Sequence, residues 1–110
     1  MSERRNSRPS DDYRDVAHRW VTLDASARLL EETKTAVLAQ KCNLLGEKMP
    51  VTRAEQIVKA SEEWRDYLKK MIDARTQANK AKVEMKFYEM RFTEWNSDAA
   101  NERREARLSA

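Results

Sequence analysis

The chain has 110 residues, 40% of them apolar and 37% charged, with one glycine and two prolines. So little turn chemistry cannot connect the strands of a sandwich, a barrel or a doubly wound sheet, and so thin an apolar supply supports only one modest core. Twenty-two basic against nineteen acidic side chains give a formal charge of +3, which admits a nucleic-acid partner without requiring one.

Residues 1–10, MSERRNSRPS, hold three arginines, three serines and a proline, and no large apolar side chain after Met1. Nothing there offsets the entropy of ordering, so the segment reads as a flexible basic arm ahead of a single helical hairpin domain over 11–110. Asp11 or Asp12 offers the N-cap of a first helix near 12–45. Its stripe, Val16, Trp20, Leu23, Ala27, Leu30, Lys34, Val37, Lys41 and Leu44, steps by fours and threes, and Tyr13, Leu38 and Leu45 flank it. Seven of the nine positions are apolar, and the two lysines can lay their methylene stems along the seam while the ammonium groups reach water. Gly46 can close the helix in a left-handed conformation.

Thr52-Arg53-Ala54-Glu55 has the form of a capping box and predicts a short helix over 53–60. Ser61, followed by Glu62 and Glu63, caps a third helix over about 62–107. Its stripe runs Trp64, Tyr67, Met71, Ala74, Ala78, Ala81, Met85, Tyr88, Phe92, Trp95, Ala99, Glu102 and Ala106 without a stutter. The expected fold is therefore all-α, a long antiparallel hairpin of coiled-coil character with a short connecting helix. Ala74, Ala78 and Ala81 thin the middle of the seam and predict close helix approach there. A third helix of roughly 70 Å cannot be covered by a first of roughly 50 Å. The excess aromatic surface predicts a homo-oligomer whose interface includes Tyr88, Phe92, Trp95 and Ala99.

No constellation for catalysis emerges. His18 has only Asp15 at helical spacing, a single glycine excludes a phosphate-cradling loop, and the neighbours Glu31 and Glu32 diverge by about 100° on a helix. The expectation is a protein that is not an enzyme and uses neither cofactor nor metal. Cys42 stands alone, which suits a reducing compartment, and no apolar run approaches the roughly 18 residues of a membrane span. These features predict a soluble protein of the cytoplasm, without a membrane partner.

The strongest electrostatic signal lies between residues 69 and 91, where Lys69, Lys70, Arg75, Lys80, Lys82, Lys86 and Arg91 outnumber Asp73, Glu84 and Glu89. Positions 69, 80 and 91 recur every eleven residues, while 75, 82 and 86 share another sector, so these seven are candidate nucleic-acid-binding residues. Arg4, Arg5 and Arg8 would add diffuse attraction. The competing reading is a solvated face with one-turn pairs such as Lys80 with Glu84.

Three stretches of this helix, Ala74-Arg75-Thr76-Gln77-Ala78-Asn79-Lys80-Ala81-Lys82-Val83-Glu84, Met90-Arg91-Phe92-Thr93-Glu94-Trp95 and Ala99-Ala100-Asn101-Glu102-Arg103-Arg104-Glu105, resemble small helical proteins that phages encode among their recombination and replication genes. The upstream run Asp24 to Lys34 is similar to them too, so the resemblance covers about half the chain. Some such proteins are recombination mediators. The resemblance implies binding of single-stranded DNA as a helical oligomer in a bacterial host, and assistance to a recombinase or a single-strand-binding protein. It would place that role on the basic residues of 69–91 and on the Asn101 to Arg107 terminus. The alternative is a small helical interaction factor, an inhibitor or adaptor of a host or phage complex, that binds protein and not DNA. A continuous basic strip would favour DNA; alternating charge would favour a protein partner.

Overall fold

A computed structural model describes residues 8–109, so Arg4 and Arg5 of the expected arm lie outside the described residues. Three helices follow one another, α1 over Pro9–Asn43, α2 over Val51–Ala60 and α3 over Glu62–Ser109, and no strand occurs among the described residues. Helices α1 and α3 are the arms of a helical hairpin. Contacts divide the described residues into two compact units, one of residues 23–78 and the other of residues 8–22 with 79–109.

In the unit of residues 23–78, the antiparallel register can be followed bond by bond. Asp24 and Glu31 meet Arg75, the Leu30 carbonyl meets Tyr67, and Lys41 meets Glu63. Ala27 and Ala78 are completely buried, and Ala74 is half-buried, so small side chains occupy the seam where the sequence thins. Trp64 is buried at the other end and stacks on Tyr67, with ring centroids 5.5 Å apart. The Tyr67 hydroxyl donates to the Leu30 carbonyl at 2.5 Å, which lets a polar atom enter the seam without losing a partner. Helix α2 buries Ala54 and Val58, one turn apart, and leaves Val51 and Ile57 exposed.

The second unit buries Val16 of α1 and Ala81 of α3, with Trp20, Met85, Tyr88 and Phe92 half-buried. Arg19 pairs with Glu84 there. Carrying that register back ten residues along α1 moves it ten forward along α3, so Pro9 stands level with Glu94. Beyond that level α3 continues for fifteen residues, to Ser109, or about 22 Å.

Three termini depart from the sequence reading. Helix α1 starts at Pro9 rather than after an aspartate cap, because proline's fixed φ suits the first helical position and its missing N–H costs nothing there. The Arg8 carbonyl accepts the Asp11 and Asp12 amides, so both aspartates lie inside the first turn. Helix α1 ends at Asn43, ahead of the expected Leu45, and the chain turns through Gly46 at φ +105°, where an L side chain would be strained. The Thr52–Glu55 capping box does not form. Pro50, extended at ψ 140°, takes the N-cap place, its carbonyl accepts the Ala54 amide, and Thr52 is already inside the helix. Ser61 does cap α3, its hydroxyl oxygen accepting the Trp64 amide at 3.2 Å while the hydroxyl donates back to the Val58 carbonyl of α2.

These caps have different energetic weight. Replacing Ser61 with Ala should destabilise the fold by about 1 kcal/mol, because a lost N-cap leaves an orphan amide at the start of α3. Thr52→Ala should change stability by less than about 0.5 kcal/mol, as befits an exposed residue without a capping bond. Urea unfolding followed by helix circular dichroism measures both; equal losses would contradict the assignment of the cap.

Candidate functional site

The seven candidate cations fall into two groups. Arg75 is held within the hairpin: its guanidinium grips Glu31 through Nε and Nη2 at 2.8 and 2.7 Å and reaches Asp24 through Nη1 at 2.8 Å. Asp24 also takes Arg28 at 3.1 Å. This planar fork matches carboxylate geometry as a lysine could not, and it fixes the register of α1 against α3. The bonds from Arg75 hold the Glu31 carboxyl below its ordinary value, and the bonds to Glu31 and then Asp24 raise the guanidinium's.

Lys69, Lys70, Lys80, Lys82, Lys86 and Arg91 are all exposed. None of the five lysines forms an ion pair among the described residues. Glu84, the acid one turn from Lys80, is taken by Arg19 instead. On the second unit's part of α3, Lys80 and Arg91 lie about 20° apart and Lys82 and Lys86 about 40° apart, but the two pairs are separated by roughly 150°. They are therefore two short basic faces, not one strip. Lys82 and Lys86 stand one turn apart with like charge, an arrangement that costs a few tenths of a kcal/mol until a counter-charge arrives. The Arg91 guanidinium rests over the Phe87 ring at 5.9 Å.

The expected interface residues are graded by height along α3. Tyr88 and Phe92 are half-buried against the seam, whereas Trp95 is 49% exposed and stacks on Phe92, at 6.4 Å between centroids. Ala99 is half-buried, and every residue from Ala100 to Ser109 is exposed. The Asn101 to Arg107 terminus alternates in sign, with Glu102 and Glu105 among Arg103, Arg104 and Arg107.

The sequence reading missed a second apolar face. Val83, Phe87 and Met90 are 70%, 55% and 63% exposed and occupy a sector of about 60°, nearly opposite the buried stripe of Ala81, Met85 and Tyr88. Their spacing of four and three residues was available as a signal. His18 and Asp15 are exposed, and no cluster of metal-ligating side chains occurs among the described residues. No helix among them is long and apolar enough to cross a membrane. No family model, curated protein or solved structure matches the chain.

The Arg75 cluster makes a pH-dependent contribution whose sign follows from Glu31. A carboxyl with a lowered folded-state pKa adds stability that is complete above its ordinary value of 4.5 and is lost as pH falls through the lowered one. Glu31→Gln should therefore lower the melting temperature at pH 7 and lose less than the parent on going from pH 5 to pH 3. Thermal melts at the two pH values provide the comparison. An unchanged acid dependence would show that the Glu31 carboxylate gains no stability from Arg75.

Proposed function

We propose that the protein is an accessory factor of DNA recombination or replication that binds single-stranded DNA without sequence preference, as a homo-oligomer, and presents it to a recombinase or single-strand-binding protein. The observation that carries this reading is the set of five exposed lysines without an internal counter-charge, the more telling because Glu84 is drawn away from Lys80 by Arg19. The resemblance to phage-encoded recombination proteins supports the same reading. Lys82 and Lys86 are its principal contacts, with Lys69, Lys70, Lys80 and Arg91 contributing attraction at longer range. Arg75 acts in the hairpin and not on DNA. Self-association uses the uncovered end of α3 at Phe92, Trp95 and Ala99, where aromatic surface is open to solvent.

One observation favours a second reading. The exposed Val83, Phe87 and Met90, between faces of interspersed charge, suit a protein partner, which would make the chain an inhibitor or adaptor.

Fluorescence anisotropy with labelled oligonucleotides of about 30 to 50 nucleotides separates the two. The DNA reading predicts binding that falls with salt at a log–log slope near −0.7 for each phosphate contact. Lys82→Glu with Lys86→Glu should weaken all sequences alike and make the slope shallower by about 1.4, two contacts' worth. Absence of binding at low salt by protein with intact helix content would overturn the DNA reading in favour of the protein partner. A separate prediction concerns assembly. Trp95→Glu should reduce the mass measured by light scattering at high micromolar concentration, and an unchanged mass would remove the uncovered end from the interface.

A further inference from the structure

From the exposed face of α3 we infer a second self-association surface, on which Val83, Phe87 and Met90 pair with the same residues of a second copy, the two α3 helices running antiparallel about Phe87. This pairing does not depend on the DNA reading. It is also distinct from the contact at Trp95, which lies in another sector of α3.

The face is complementary to its own inverted copy. Val83, Phe87 and Met90 follow the four-and-three spacing of a coiled-coil seam and are left 70%, 55% and 63% exposed among the described residues, the Phe87 ring meeting Tyr88 and Arg91 of its own helix. The next two seam positions are Lys80 and Glu94, each seven residues from Phe87 and within about 20° of it. A parallel pair would set Lys80 against Lys80 and Glu94 against Glu94 of the other copy. An antiparallel pair centred on Phe87 instead places each Lys80 level with the other copy's Glu94, about 10 Å on either side of the centre. The apolar positions then match as well. Val83 lies about 6 Å before the centre and Met90 about 4.5 Å after it, so reversal brings each Val83 beside the other copy's Met90, while the Phe87 rings meet at the axis. Arg91, already over the ring, would cover its edge from solvent. Residue for residue, the face suits its own inverted copy, as an isologous two-fold interface must.

The pairing has a consequence for the lysines. A two-fold axis perpendicular to the plane of the two helices keeps like flanks together. Lys82 and Lys86 share one flank of the apolar triad, so both copies' pairs align along a single edge of the dimer, spread over about 15 Å. The Lys82 and Lys86 faces of the two copies thereby become one track, with the like-charge repulsion between the Lys86 side chains left at the solvent-exposed rim and screened by salt.

The test uses the full chain carrying Trp95→Glu, so that the uncovered end cannot contribute, with sedimentation equilibrium at low salt and circular dichroism to verify helix content. The expected result is a dimer that Phe87→Glu converts to monomer. Lys80→Glu should weaken dimerisation at least about threefold by setting two acidic pairs across the interface, and adding Glu94→Lys should restore it by exchanging the charges. A monomeric Trp95→Glu protein, an unaffected Phe87→Glu dimer, or a charge exchange no tighter than Lys80→Glu alone would each overturn the pairing. None of these three outcomes decides whether the protein binds DNA, which is read independently through Lys82 and Lys86 by anisotropy.

Discussion

Two helices that share one seam can each bury only one face, and every other feature of this protein follows from what that leaves over. The buried side chains are Ala27, Trp64 and Ala78 in one unit and Val16 and Ala81 in the other, with Ala54 and Val58 of α2. Helix α1 has 35 residues and α3 has 48, so the shorter arm cannot follow the longer to its end. The stripe nevertheless continues through Trp95 and Ala99. Opposite it, Val83, Phe87 and Met90 make an apolar face that stays exposed among the described residues.

The charges divide by the same constraint. Cations beside the seam find carboxylates on the opposite arm: Arg19 with Glu84, Arg75 with Asp24 and Glu31, and Lys41 with Glu63. Most of these pairs are solvent-exposed and add little to stability individually; the bidentate Arg75–Glu31 contact differs because its geometry specifies one register of sliding between two helices. Cations away from the seam, Lys69, Lys70, Lys80, Lys82 and Lys86, have no such partner among the described residues. Their unspent charge and the unburied apolar face lie on the same helix, which is why the outer surface of α3 carries the functional reading.

Much of this was legible in the sequence, and the remainder failed for identifiable reasons. The two stripes announced the hairpin because apolar spacing encodes a face directly, and Ser61 announced the start of α3 because a serine followed by two glutamates meets both the orphan amides and the helix dipole. Thr52 misled because the capping pattern says nothing of the backbone before it, and the extended Pro50 had already begun the helix. Arg75 could not be told from its lysine neighbours, since its partners lie 44 and 51 residues away in the chain. The face around Phe87 was hidden by a stronger signal: the longer stripe on the same helix absorbed the aromatic residues, and the charged ends of the triad, Lys80 and Glu94, read as ordinary solvated positions.

The central claim is that the inner face of α3 builds the hairpin and the outer face meets other molecules. Amide resonances of isotope-labelled protein, recorded from low to high micromolar concentration and then with a single-stranded oligonucleotide, test it residue by residue. The account predicts concentration-dependent shifts centred on Val83 to Met90 and on Trp95, oligonucleotide-dependent shifts centred on Lys82 and Lys86, and constant positions for Trp64, Ala74 and Ala78. Shifts concentrated on those three seam residues, with the outer face unchanged, would contradict it.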